Sequence, residues 1–169
     1  MGVRTMELVL MEDTRNKPSL HKTKNDYWAE HGIKVIRTKL YVGDYMFVGG
    51  TVAVDTKRDI QELAADIDQQ HDRFRRELVN ARDAGIALTV LIENEDGVRD
   101  LDGLAAWIEP AKSFAKRRHA KRRIEGLRLA KACMTMSDRY GVSWEFCDPS
   151  ETGAMVIDIL TGGAGYEQA

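Results

Sequence analysis

Apolar positions recur along this chain in two rhythms, one of period two and one of helical spacing. Glu7 to Met11 is a short apolar run that ends at Glu12-Asp13-Thr14-Arg15 and predicts a first strand. Pro18 to His31 predicts a helix, with Gly32 as its stop signal. Ile33 to Arg37 alternates as a second strand. Leu40 to Val48 and Thr51 to Lys57, rich in Val, Tyr, Phe and Thr, flank Gly49-Gly50 and predict a hairpin. Asp59 opens a long helix: Glu62 completes a capping box, and Leu63, Ile67, Phe74 and Leu78 recur at helical spacing. Ile86 to Ile92 is continuously apolar, as a central strand buried on both faces must be. Ile124 to Tyr140 predicts a helix closed by Gly141, and Val142 to Phe146 a further strand. Asp148-Pro149-Ser150-Glu151 opens a last helix with its apolar face at Met155 to Leu160. The pattern is weakest over 98–124, where Trp107 and Ile108 read as half-buried and Lys112 to Arg123 as a mobile basic segment. Mixed strands with flanking helices and no internal repeat predict a three-layer α/β fold.

The hairpin carries the candidate chemistry. A Gly49-Gly50 turn pairs Val48 with Thr51, and counting back sets Asp44 opposite Asp55. Opposed side chains in an antiparallel pair lie about 4.5–5.5 Å apart at Cβ. Lys57, two residues beyond Asp55, shares its face. Two opposed carboxylates destabilise a hairpin unless something positive lies between them. A hard divalent cation such as Mg²⁺ is the natural occupant, because it takes one or two carboxylates plus waters and phosphate oxygens. An ammonium beside it suits a phosphodiester.

Composition narrows the partners. The net charge of −2 gives no global nucleic-acid signature, so nucleic-acid binding needs a local basic patch. Lys112, Lys116, Arg117, Arg118, Lys121, Arg122 and Arg123 supply one within a dozen residues that hold no acid, and Arg128 and Lys131 extend it. This segment, 112–131, is expected to bind phosphate backbones and to order on doing so. Cys133 and Cys147 read as reduced, buried thiols rather than a zinc site or a disulfide framework. No apolar leader or membrane-length run is present, which predicts a cytoplasmic protein with no membrane partner, on the nucleoid if bacterial or phage. One domain is expected over 1–162, with a flexible tail at 163–169.

From about Leu8 to Glu93 the chain resembles the nuclease domain of the XPF/Hef structure-specific endonucleases, a branch of the PD-(D/E)XK superfamily. Asp13-Thr14-Arg15 resembles that family's Asp-x-Arg-Glu, with Asn16 in place of the Glu. Leu40-Tyr41-Val42-Gly43-Asp44-Tyr45 resembles its Leu-x-x-Gly-Asp segment. Val54-Asp55-Thr56-Lys57 stands in the place of its Glu-Arg-Lys signature, with Asp55 for Glu and Thr56 for Arg. Leu91-Ile92-Glu93 resembles its later strand. The family's Asp four residues beyond the Lys is Gln61 here, and Asp59 reads first as a helix cap.

The resemblance implies a restriction-endonuclease-like fold, a central mixed sheet flanked by helices, and a Mg²⁺- or Mn²⁺-dependent DNA endonuclease for branched, flapped or other non-duplex DNA. Asp44, Asp55 and the Thr56 carbonyl would hold metal, and Lys57 would be catalytic. Asp13 is either a further metal ligand or a turn residue. Glu93 is either a supporting acid, a helix cap or a solvated residue. Arg15, Arg73 and Arg76 are expected to contact DNA, with an Arg73–Glu77 ion pair as the alternative use of Arg73. The family's nuclease domains pair, so a homodimer or heterodimer is expected. The chain reads as a free-standing nuclease domain of the kind phage and prophage genomes carry. Two other functions stay open: a catalytically silent DNA-binding or scaffold module, and a sequence-specific restriction-type nuclease.

Overall fold

A computed structural model describes residues 7–163; the expected tail at 163–169 lies, but for Gly163, outside the described residues. Six strands form one sheet in the order β2-β1-β3-β4-β5-β6: β1 Val9–Asp13, β2 Lys34–Thr38, β3 Tyr45–Phe47, β4 Val52–Lys57, β5 Ala87–Glu93 and β6 Ser143–Cys147. β3 is antiparallel to both neighbours, and the other pairings are parallel. Five strands therefore end at one edge of the sheet, and β3 begins there. The mixed α/β sheet is the one the sequence pattern predicts.

Helices cover both faces. α2 (Ile60–Asp68), α3 (His71–Asp83), α4 (Leu101–Ala106) and α6 (Gly126–Tyr140) bury Leu63, Leu78, Leu104 and Leu129 against Ala53, Leu88, Val90 and Ile92. α1 (Lys22–Glu30) and α7 (Thr152–Leu160) bury Trp28 and Val156 against Leu10, Tyr45, Val54 and Leu91. The two sets of sheet residues alternate along each strand, because successive side chains leave opposite faces. β5 feeds both cores, which is why it reads as an unbroken apolar run. The short α5 (Ala111–Lys116) has no buried residue.

Four local expectations change. The long helix after Asp59 is two helices broken at Gln69-Gln70; the seven-residue step from Ile67 to Phe74 keeps helical spacing across the break. Asp59 caps α2 by accepting from the Glu62 N–H at 2.7 Å, but the Glu62 carboxylate returns to the Arg58 N–H instead. The stretch expected to be strand from Leu40 pairs only from Tyr45, and 41–44 bends along the sheet edge. Ile108, expected to be half-buried, is 76% exposed. Both cysteines are free and buried, and among the described residues no helix is long and apolar enough to cross a membrane.

Candidate active site

Open α/β sheets bind ligands beyond the carboxyl ends of their strands. Here a cleft of about 890 Å³ opens at that edge, walled by β1, β4, β5 and the helices beside them. The hairpin delivers its acids there. Gly49, at φ 75°, makes the turn, and the Gly50 N–H donates to the Phe47 carbonyl at 2.9 Å. Tyr45 pairs with Val54 and Met46 with Ala53. One step further in the same register sets Asp44 against Asp55, although the ladder stops at Tyr45.

Gly43 precedes Asp44 with φ 71°, and a Cβ there would meet the Val54 carbonyl oxygen at 3.0 Å, so any side chain at this position is both strained and crowded. Asp44 is then pinned by its own backbone: its N–H donates to the Val54 carbonyl at 2.7 Å, and its carbonyl accepts from the Asp13 N–H at 2.9 Å. Its Oδ2 accepts from the Thr56 N–H and the Thr56 hydroxyl, both at 2.8 Å. Asp55 and Lys57 lie on one face of β4, with Lys57 Nζ 2.7 Å from Asp55 Oδ2. A second acid, Asp66 of α2, stands 2.5 Å from the same nitrogen, and the Phe74 ring centroid lies 5.1 Å away. Glu77 of α3 closes the group by accepting from the Gly43 N–H at 3.0 Å.

The electrostatics follow from burial. Burial alone would favour neutral Lys57, but Asp55 and Asp66 outweigh it and raise the pKa, so the ammonium persists. Asp44 is pushed well above the usual carboxylate range, first by burial and then by the Asp55 charge, against the bonds from Thr56. Glu77 is raised for the same two reasons. Asp44, Asp55, Asp66 and Glu77 thus share one ammonium, and the cluster is short of positive charge.

A divalent cation suits this deficit. Asp55 Oδ2 is buried and accepts no hydrogen bond of good geometry among the described residues, despite its ion contact with Lys57. Thr56 is extended, so its carbonyl leaves on the same side as the N–H that meets Asp44. Among the described residues no three His, Cys, Asp or Glu side chains converge to hold a metal unaided. The donor set is therefore sparse and all oxygen, which fits Mg²⁺ or Mn²⁺ keeping waters and taking phosphate oxygens.

Asp13 has another task. It is 1% exposed, and its Oδ1 accepts from the Arg15 N–H at 2.8 Å and Nε at 2.7 Å. Its Oδ2 accepts from the Arg15 guanidinium and the Leu40 N–H, both at 2.8 Å. Burial would raise its pKa, but these donors hold it at about 2. Asp13, expected as a catalytic residue or metal ligand, anchors Arg15 with both carboxylate oxygens in this structure. Glu93 is neither cap nor solvated: it is buried and pairs with buried Lys24 at 2.9 Å on the α1 side of the cleft. Lys24 also contacts His21 Nδ1 at 3.2 Å, and His21 reaches the Tyr45 hydroxyl at 3.2 Å. Burial, and then Lys24, lower the His21 pKa.

The candidate DNA contacts separate into two groups. Arg15, Arg73 and Arg76 line the cleft and are exposed, joined there by Arg58. Arg73 bonds Gln70 at 3.3 Å rather than Glu77, so the expected ion pair is not the arrangement found. The basic segment is built on a buried acid. Glu109, 0% exposed, takes both arms of the Arg117 guanidinium at 2.7 Å and the Ile124 N–H at 2.8 Å. Arg117 also donates to the Arg122 carbonyl at 2.9 Å. Arg117, expected to contact phosphate, is here held by Glu109, and the segment packs around that pair. Arg118, Lys121, Arg122 and Arg123 remain exposed. Arg128 is bound by both arms to Asp68 at 2.7 Å.

Asp66, Glu77, Glu109 and Lys24 have no place in the sequence-derived site. Only Asp66 had a usable signal: with Glu62 it makes a four-residue acidic repeat beside the buried Leu63 and Ile67.

No protein-family model and no curated protein matches the sequence. Solved structures share its architecture, two of XPF among them. XPF from Aeropyrum pernix is 16% identical with a TM-score of 0.59, over 94% of this chain and 66% of that one. XPF from Aeropyrum pernix in complex with DNA is 16% identical with a TM-score of 0.60, over 96% and 68%. The chain thus spans about two thirds of those chains, and at this identity the likeness speaks for the fold: a mixed six-stranded sheet with helices on both faces, similar to that of XPF.

Proposed function

We propose that this protein is a DNA endonuclease of the PD-(D/E)XK type, dependent on Mg²⁺ or Mn²⁺, that hydrolyses phosphodiester bonds in branched, flapped or other non-duplex DNA. The observation that carries the reading is the meeting of Asp44, Asp55 and Lys57 in one anionic cleft rimmed by Arg15, Arg58, Arg73 and Arg76. The likeness to an XPF structure solved with DNA supports nucleic acid as the partner.

Asp44, Asp55 and the Thr56 carbonyl would hold the cation. When bound, it would lower the pKa of a coordinated water and offset charge on the phosphate. Lys57, kept cationic by its two acids, would donate to a phosphate oxygen or orient the attacking water, and it stabilises charge better in a water-poor cleft than in solution. Arg15, fixed by Asp13, would position a flanking phosphate, as would Arg73 and Arg76; such contacts set register without reading sequence. Arg118, Lys121, Arg122 and Arg123 would extend the backbone track. The resemblance implies 5′-phosphate and 3′-hydroxyl products and pairing of the domain in solution; action in the cytoplasm or on the nucleoid is proposed alongside it.

The test is an oligonucleotide panel of duplex, splayed, flap and four-way DNA, with Mg²⁺ or Mn²⁺, for the wild type and Asp55→Asn. Cleavage of the non-duplex substrates by the wild type alone is expected. Binding without cleavage would favour the silent scaffold, and cleavage of plain duplex at one sequence the restriction-type enzyme. A mass measurement in solution tests pairing.

A further inference from the structure

Lys57 is held by more anion than its own strand supplies. Its Nζ lies 2.7 Å from Asp55 Oδ2 and 2.5 Å from Asp66 Oδ2, and its side chain is only 8% exposed. An Asp55 oxygen that pairs with an ammonium at that distance competes with any cation for the same lone pairs. Were Asp55 to turn to a cation with no other acid in reach, a buried ammonium would be stranded, and an uncompensated buried charge is strongly unfavourable. Asp66 comes from α2, independent of the hairpin, and at 19% side-chain exposure it costs less to keep ionised than a wholly buried acid. The Phe74 ring encloses Lys57 further. Glu62, one turn earlier on α2, also lines the cleft, but its ion pair is with Arg58.

We infer that Asp66 is a positioning residue: it holds the Lys57 ammonium so that Asp55 is free to bind the divalent cation. This rests on the nuclease reading above and adds the acid that lets Asp55 and Lys57 act at once. Without Asp66, Asp55 would have to divide one negative charge between the ammonium at its Oδ2 and the cation.

The test is Mn²⁺ binding to the full chain without DNA, read from the loss of the paramagnetic resonance signal of the free ion. The proteins are wild type, Asp66→Asn, Glu62→Gln, Lys57→Met and the Lys57→Met/Asp66→Asn double variant, with folding checked by circular dichroism. Asp66→Asn should raise the Mn²⁺ dissociation constant about tenfold, the coupling expected of groups in contact. Glu62→Gln, an equal loss of charge on the same helix, should raise it far less. In the Lys57→Met background Asp66→Asn should change it by less than about twofold, because the competitor is gone. The Mn²⁺ concentration for half-maximal cleavage should shift in parallel. An equal loss in both backgrounds would overturn the inference, since Asp66 would then act as one more negative charge, and so would unchanged affinity in Asp66→Asn. Absence of Mn²⁺ binding by the wild type, both alone and with a cleavage-resistant phosphorothioate flap oligonucleotide that supplies phosphate oxygens, would remove the metal-dependent reading and this role together. Asp66→Ser, equally neutral and smaller, carries the same expectation should Asp66→Asn not fold.

Discussion

Replacing Glu109 with Gln removes one charge from the interior and keeps the shape. Glu109 is 0% exposed and accepts from both arms of Arg117 and from the Ile124 N–H. The variant leaves the guanidinium without its counter-ion. Breaking a buried pair costs about 3–5 kcal/mol, and the lower figure applies because Arg117, at 27% side-chain exposure, can turn toward water. In a chain of this size 1 kcal/mol moves Tm by roughly 2–4 °C, so a fall of about 6–12 °C is expected at neutral pH. The assay is thermal unfolding by circular dichroism in EDTA, with Glu109→Gln/Arg117→Met alongside, because removing both members of a buried pair costs far less than removing one. A pH series gives an independent check. Burial would raise the Glu109 pKa, but Arg117 and the Ile124 N–H outweigh it and lower it below 4.5. The folded value lies below the unfolded one, so the stabilisation is complete above about 4.5 and is lost as pH falls through the folded value. The wild type should therefore approach the variant in acid. A Tm within about a degree of wild type at neutral pH, or a double variant less stable than Glu109→Gln, would refute this account of the basic segment.

Other consequences can be checked separately. Asp44→Asn and Asp55→Asn should each abolish cleavage while nearly preserving DNA binding in a gel shift; Mg²⁺-dependent cleavage by either would remove the site assignment. Millimolar Mn²⁺ should raise the Tm of wild type more than that of Asp55→Asn, by about 2.7 kcal/mol of stability at a hundredfold excess over the dissociation constant. In EDTA at neutral pH, Asp44→Asn should melt higher than wild type, because burial and Asp55 raise the folded pKa of Asp44; the wild type then loses stability as pH rises from the unfolded value toward the folded one, and a lower Tm would contradict this. Substituting Arg118, Lys121, Arg122 and Arg123 with Gln should weaken binding to every sequence and flatten the salt dependence by about 0.9 log units per lost duplex contact, with cleavage at saturating enzyme retained. An unchanged salt slope would move the DNA track to Arg73 and Arg76.

The parts legible in the sequence are those set by neighbours along the chain. The Gly49-Gly50 turn and the alternation on either side determine the register that sets Asp44 against Asp55 and puts Lys57 on the face of Asp55, because a one-residue slip would turn the whole apolar set outward. The unbroken apolar run of β5, the cap at Asp59 and the stop at Gly141 are equally local. The parts decided only by the tertiary structure are partnerships between distant residues. Asp66 meets Lys57 because α2 packs over β4, Glu93 meets Lys24 because α1 covers the other face, and Glu109 folds the basic segment around Arg117. In sequence each is one charged residue among many, since its role depends on which opposite charge is buried beside it. Asp13 makes the same point: its position was legible, but its use as an anchor for Arg15 depended on the Leu40 N–H, 27 residues away, arriving to share its oxygen. Local pattern selects the backbone, and burial in three dimensions then decides which charges must find partners.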